Sequence, residues 1–128
     1  MSPDLFDEIP DRLKSFIKKN ISSFSILEVL LLLKRDAQRL WTPEELSIEM
    51  RTNVSYATAQ LAELTSLKLV EAEGTNSYRY SPQNVGSEII DELESLYNSR
   101  RSTVINYIYS QPSDSIRDFA NAFKIKKD

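Results

Sequence analysis

The chain has 128 residues, of which 41% are hydrophobic and 27% charged, a composition typical of one folded domain rather than a disordered chain. Its net charge of −3 argues against a protein that coats nucleic acid non-specifically, although a small local basic patch stays compatible with it. The absence of cysteine excludes a disulfide framework and thiolate metal sites.

Neither a transmembrane helix nor a signal peptide is predicted. The most apolar run, ILEVLLLL at 26–33, is interrupted by Glu28 and is much shorter than the roughly 20 residues that cross a bilayer. Residues 1–21 carry four acids and four bases, unlike a signal peptide with a basic start and an apolar centre. We therefore expect a cytoplasmic protein that does not associate with membranes.

An amphipathic helical arm is predicted over residues 1–21. Apolar residues recur there at spacings of three and four, and Pro10 is expected to kink or restart the helix. The stripe consists of Leu5, Phe6, Ile9, Leu13, Phe16 and Ile17. Because acids balance the bases, we expect this arm to pack on the domain or on a partner subunit rather than lie on a membrane surface.

The second predicted region, residues 22–82, begins with a helix over about 24–37 that has almost no polar face and should form the centre of the core. A short extended piece at Leu40-Trp41 follows. The next helix has a capping box, with Thr42 as cap, Pro43 at the first helical position and Glu45 reaching back to the Thr42 amide. Large aromatic residues beside short strands usually pack inward, so Trp41 is predicted to lie in the core.

A third helix and a hairpin complete this region. Asn53 is predicted to cap a helix over 53–67, whose inward residues include Ala57, Leu61 and Leu64. Alternating apolar and polar residues on both sides of GTNS then predict a β-hairpin over 69–80.

The third region, residues 83–128, is predicted to be helical and to form a dimerisation surface. One long apolar stripe runs from 86 to 109 and ends at Gln111-Pro112, which predicts one long helix over 86–109. Ser113 is predicted to cap a last amphipathic helix. With only two glycines in the chain, we predict a mainly α fold with a small β-hairpin.

Residues 24–80 resemble a winged-helix domain of the kind found in bacterial MarR and ArsR transcription regulators. The resemblance rests on Thr42 to Glu45 opening the second helix, on Asn53 capping the third, and on KLVEAEGTNSYRYS as the wing. It implies binding to double-stranded DNA, with the third helix in the major groove and the hairpin on the neighbouring backbone or minor groove. A homodimer is expected separately, because the two amphipathic arms offer more apolar surface than the small winged-helix domain can cover.

The resemblance also implies a set of DNA-contacting residues: Arg51, Asn53, Ser55, Tyr56, Ala59, Gln60, Lys68, Asn76 and Arg79. Gln60 has the paired donor and acceptor that suit adenine, whereas Arg51, Lys68 and Arg79 would contact phosphates. Two features depart from the family pattern. DNA-reading members often have arginine near Ala59, and residues 39–81 hold four bases against six acids.

Catalysis is argued against by composition. Histidine is absent, and two isolated glycines cannot form a phosphate-binding loop. We therefore predict no enzyme activity, no cofactor and no metal site. The alternative to DNA binding is a winged-helix module that holds a protein partner, because fold resemblance alone does not separate these functions.

Overall fold

The computed structural model describes residues 6–83 and 86–111, and this part of the chain is mainly helical with one small antiparallel hairpin, which confirms the predicted fold class. The elements in chain order are α1 (Asp11–Asn20), α2 (Phe24–Arg35), α3 (Pro43–Glu49), α4 (Val54–Ser66), β1 (Val70–Glu73), β2 (Ser77–Tyr80), α5 (Ser87–Ser99) and α6 (Arg101–Ser110). Within these described residues, no helix is long and apolar enough to cross a membrane.

The chain divides into two compact units. One is formed by residues 25–94 and contains α3, α4 and the hairpin, with most of α2 and the first part of α5. Its buried apolar residues include Leu27, Leu30, Leu33, Leu46, Ala57, Leu61, Leu64, Leu69, Ile90 and Leu93. The other unit is formed by the segments before 25 and after 94 and contains α1 and α6. Its buried apolar residues include Ile9, Leu13, Phe16, Ile17, Val104 and Ile108.

The predicted capping box at the start of α3 is confirmed. The Thr42 side chain accepts a hydrogen bond from the Glu45 amide at 3.1 Å, and Glu45 Oε1 accepts one from the Thr42 amide at 3.0 Å. Directly before this cap, the amide and carbonyl of Trp41 exchange hydrogen bonds of 2.8 Å with Tyr78 in β2. Trp41 is buried, as expected, so this short bridge fixes the start of α3 to the hairpin.

The helix α4 packs against α3 and β1. Asn53 caps α4 as predicted, because its Oδ1 accepts a hydrogen bond from the Tyr56 amide at 2.7 Å. The hairpin also forms as predicted, with Val70 paired to Tyr80 and Glu73 paired to Ser77. Gly74 opens its turn with a φ of 68°, a left-handed conformation that favours glycine.

The prediction of one long helix over 86–109 is wrong, because the chain breaks at Arg100 into α5 and α6. Arg100 has φ −136° and ψ 54°, which is not helical. Six polar residues separate Tyr97 from Val104, so no apolar side chain packs there to stabilise a continuous helix. Ser99 also turns its hydroxyl back to the Ser95 and Leu96 carbonyls. The helix predicted from Ser113 lies outside the described residues.

An ionic cluster at the protein surface joins α2 to α5, with Lys34 largely covered and Asp91 exposed. Lys34 Nζ lies 2.9 Å from Asp91 Oδ1 and 2.7 Å from Glu94 Oε1, and 17% of the Lys34 side chain is exposed. The hydrogen bonds that the Lys34 ammonium donates to Glu94 and Asp91 raise the pKa of Lys34 above its ordinary value. Asp91 stays exposed on α5, and nothing in the local sequence pattern marks Lys34 as the partner of these two acids.

Candidate nucleic-acid interface

The turn between α3 and α4 is closed by a left-handed residue. The Thr52 amide donates to the Ser47 carbonyl at 2.9 Å, and the Arg51 amide donates to the Ile48 carbonyl at 3.2 Å. This pair of bonds is a Schellman motif, in which the residue after the C-cap is usually glycine. Here that residue is Arg51, with a φ of 55° and an exposed side chain.

The other end of α4 has the same construction. The Lys68 amide donates to the Thr65 carbonyl at 3.0 Å, and the Leu69 amide donates to the Leu64 carbonyl at 3.1 Å. Lys68 adopts a φ of 61° and is exposed, while Leu64 and Leu69 are buried. One basic residue in a left-handed conformation therefore lies at each end of α4.

The first half of α4 presents neutral side chains to solvent. Ser55, Tyr56 and Ala59 are exposed, and Tyr56 keeps 46% of its surface accessible. Asn53 is exposed too, and although its Oδ1 caps the helix, its amide nitrogen still offers N–H donors. These four predicted residues thus lie at the surface in the first turns of one helix.

The prediction that Gln60 faces a DNA groove is wrong. Only 3% of Gln60 is exposed, and its Nε2 donates a 2.6 Å hydrogen bond to Ser25 Oγ on α2. The helical period explains this, because position 60 lies three residues after Ala57 and four before Leu64, both of which are buried. That spacing was visible in the sequence and outweighs the polar character of glutamine.

The side chains predicted to act from the hairpin are held by acids of the same chain. Arg79 is half-buried, and its Nη2 lies 3.0 Å from Glu73 Oε2. Asn76 is exposed at the turn, and its Nδ2 donates to Glu44 Oε1 at 3.2 Å. Either side chain would have to exchange its acidic partner for a phosphate before it could contact DNA.

The bases between residues 39 and 81 therefore divide into two groups. Arg39 stacks on Trp41 at 3.5 Å and lies 3.8 Å from Glu45 Oε2, and Arg79 is paired with Glu73. Within the described part of the chain, no acid forms an ion pair with Arg51 or Lys68. Those two bases are the ones available to an anion without breaking an existing pair.

Acids are concentrated on a different surface. Glu44, Glu45 and Glu49 are exposed on the outward side of α3, together with Ile48, which is 78% exposed. Glu63 is half-buried on α4. A phosphate backbone would be repelled by the outward side of α3, so the ends of α4 form the more favourable approach for DNA.

No group of three or more potential ligands that could hold a metal ion occurs within residues 6–83 and 86–111. Comparison with known proteins found no matching family model, no matching curated protein and no matching solved structure. The resemblance to the MarR and ArsR regulators therefore stays a prediction that rests on the residues quoted above.

Proposed function

We propose that this protein is a DNA-binding transcription regulator that places the exposed side of α4 in the major groove. The observation that carries the proposal is the surface of the first turns of α4, where Ser55, Tyr56 and Ala59 are exposed. The small side chains of Ser55 and Ala59 let α4 approach the base edges closely, and the cap at Asn53 keeps the N-terminal end of α4 ordered. Such a role places the protein in the bacterial cytoplasm.

The way in which this surface would recognise DNA follows from its chemistry. With Gln60 buried, and with the exposed Thr58 hydroxyl donating to the Val54 carbonyl, Ser55 and Tyr56 are the side chains on this stretch of α4 that we expect to reach bases. Neither makes the paired contact that distinguishes one base strongly from another. Phosphate contacts would then supply most of the affinity, and sequence preference would be modest.

The test introduces a charge on the proposed contact surface without altering the core. Ala59→Glu places a carboxylate on the exposed side of α4, where it would repel phosphates, and it is expected to weaken duplex binding at least tenfold in fluorescence anisotropy. Ser102→Glu, at an exposed position of α6, is the matched control and should bind as the wild type does. Equal binding by both variants would reject α4 as the contact surface.

We propose further that the protein acts as a homodimer, because a pair of α4 helices would double the few bases presented to DNA. Tyr109 on α6 is 71% exposed, and burial of such an aromatic residue is a common source of interface energy. Two half-sites about one helical turn apart are then expected. Sedimentation equilibrium should give twice the mass of the chain, and a monomer at high concentration would contradict this.

One observation favours a second candidate function, a module that holds a protein partner. The outward side of α3 combines the exposed Ile48 with three carboxylates, which suits a basic protein segment better than a phosphate. Ile48→Ser separates the two functions, since it should leave duplex binding unchanged. Loss of a stable protein complex in this variant, with no salt-sensitive DNA binding by the wild type, would favour the second candidate.

A further inference from the structure

The break between α5 and α6 differs from the helix boundaries around α3 and α4. A capping box at Thr42 starts α3, and a side-chain cap at Asn53 starts α4. The residue before α6 is Arg100, whose side chain makes no cap hydrogen bond. Residues 98–103 contain neither glycine nor proline. No local stop signal therefore places the break at Arg100.

The residue types in this stretch favour a different position for the break. Serine is among the preferred N-cap residues, whereas arginine is not. Ser99 stands directly before Arg100, and Ser102 stands two residues after it. A break at either serine would give α6 a side-chain cap. The polar residues weaken a helix here through their low propensity, but they do not select Arg100.

The N-terminal turn, which runs from Phe6 to Ile9, contacts the chain at this break. Glu8 Oε1 lies 3.2 Å from Arg100 Nε. The Phe6 ring meets Tyr107 of α6 edge to face, with the ring centroids 5.0 Å apart. The turn is closed by a 3.0 Å hydrogen bond from the Ile9 amide to the Phe6 carbonyl, and Ile9 is buried. The N-terminal turn thus contacts both the break and the helix that follows it.

A continuous helix is the state that competes with the broken one. The Arg100 amide donates to the Leu96 carbonyl at 2.7 Å, and the Val104 amide donates to the Arg100 carbonyl at 3.1 Å, as both would in one helix. The first amides of a separate helix have no partner within it, so joining would add helical bonds from the amides of residues 101–103. Arg100 alone stands between α5 and α6, and a change of its φ and ψ joins them.

Two causes of the break make opposite predictions. If the polar run alone causes it, α5 and α6 stay separate whatever the N-terminal turn does. If the N-terminal turn causes it, loss of its contacts lets Arg100 become helical. An exposed ion pair such as Glu8–Arg100 contributes little by itself, so the aromatic contact of Phe6 and the burial of Ile9 have to supply most of the hold.

We propose that the N-terminal turn is a strap that holds the chain broken at Arg100, and that release of this turn joins α5 and α6 into one helix over residues 87–110. The break is then a two-state element. A ligand that holds the N-terminal turn away from Arg100 would shift it towards the joined state. This inference goes beyond the proposed DNA-binding function and does not depend on it.

The experiment follows Arg100 by NMR in ¹³C,¹⁵N-labelled wild type, Glu8→Lys and the double variant Phe6→Ala/Glu8→Lys. The Arg100 Cα chemical shift moves downfield when this residue becomes helical, and the amides of residues 101–103 should then exchange about tenfold more slowly. Glu8→Lys should move both signals part of the way, and the double variant should move them further. Asp7→Lys, which adds a base at the neighbouring exposed position, is the matched control and should behave as wild type does.

Each outcome decides for or against the strap. An Arg100 Cα shift that stays non-helical in both variants would overturn the proposal and assign the break to the polar run. A helical Arg100 in the wild type, or an equal change in Asp7→Lys, would overturn it as well. Circular dichroism shows whether Phe6→Ala unfolds the protein. If it does, the result for Glu8→Lys decides, because that substitution alters an exposed side chain and leaves the core intact.

Discussion

Gln60→Glu tests the position of the side chain whose predicted role the structure corrects. Glutamate has nearly the same shape as glutamine, so the substitution changes charge with little change in packing. Because Gln60 is buried and donates to Ser25 Oγ, the new carboxylate would lie out of reach of solvent. Burial disfavours the charged form and raises the pKa of the new carboxyl in the folded state.

The magnitude follows from the size of that shift. Glutamate in the unfolded chain has a pKa of about 4.3, and a buried carboxyl can rise by roughly 2 to 3 units, at about 1.36 kcal/mol for each unit. The variant should therefore lose about 3 kcal/mol of unfolding free energy at pH 7, which lowers the melting temperature by about 10 °C. Because the pKa of the new carboxyl is higher in the folded state than in the unfolded state, the variant keeps its stability below about pH 4.3 and loses it as the pH rises.

Thermal unfolding followed by circular dichroism between pH 4 and pH 8 measures this directly. The deficit relative to wild type should be small near pH 4, where the neutral acid can donate to Ser25 as the amide does, and it should grow towards pH 8. Gln38→Glu, at an exposed position after α2, is the matched control and should show no such deficit. If Gln60→Glu is as stable as wild type at every pH, the side chain at position 60 is not buried.

Two further predictions concern the Lys34 cluster and Tyr80. Lys34→Met leaves Asp91 and Glu94 without their cation and should lower the free energy of unfolding in urea by about 1 to 2 kcal/mol, between the values for exposed and buried pairs. A change no larger than that of the exposed Lys18→Met would contradict a stabilising role. Burial raises the pKa of Tyr80 to about 12, so as the pH rises the unfolded chain loses the Tyr80 proton at a lower pH than the folded protein does. The free energy of unfolding should therefore fall between about pH 10 and 12. Urea unfolding at pH 7 and pH 11 measures this, and Tyr80→Phe should lose less unfolding free energy between the two pH values than wild type does. An equal loss in both proteins would refute the attribution of this loss to the burial of Tyr80.

Local signals in the sequence predicted much of the fold correctly. The cap at Thr42, the cap at Asn53 and the hairpin each depend on residues only a few positions apart, so their patterns can be recognised directly. The break at Arg100 was missed because an apolar stripe continues on both sides of it. Its signal was the run of polar residues between Tyr97 and Val104, which leaves the helix without packing.

The candidate interface was harder to predict because it depends on contacts that are distant along the chain. Gln60 meets Ser25 from 35 residues away, and Asn76 meets Glu44 from 32 residues away. Neither contact leaves a periodic pattern in the sequence. The left-handed conformation of Lys68 was equally hidden, since glycine, the usual marker of such a position, is absent there.

The most direct test of the account is a titration of the ¹⁵N-labelled protein with an unlabelled duplex, followed by amide chemical shifts. If α4 contacts DNA as proposed, the largest shift changes should occur at Ser55, Tyr56 and Ala59, together with Arg51 and Lys68 at its two ends. Changes confined to α1 and α6, or no change at a molar excess of duplex, would contradict the central claim.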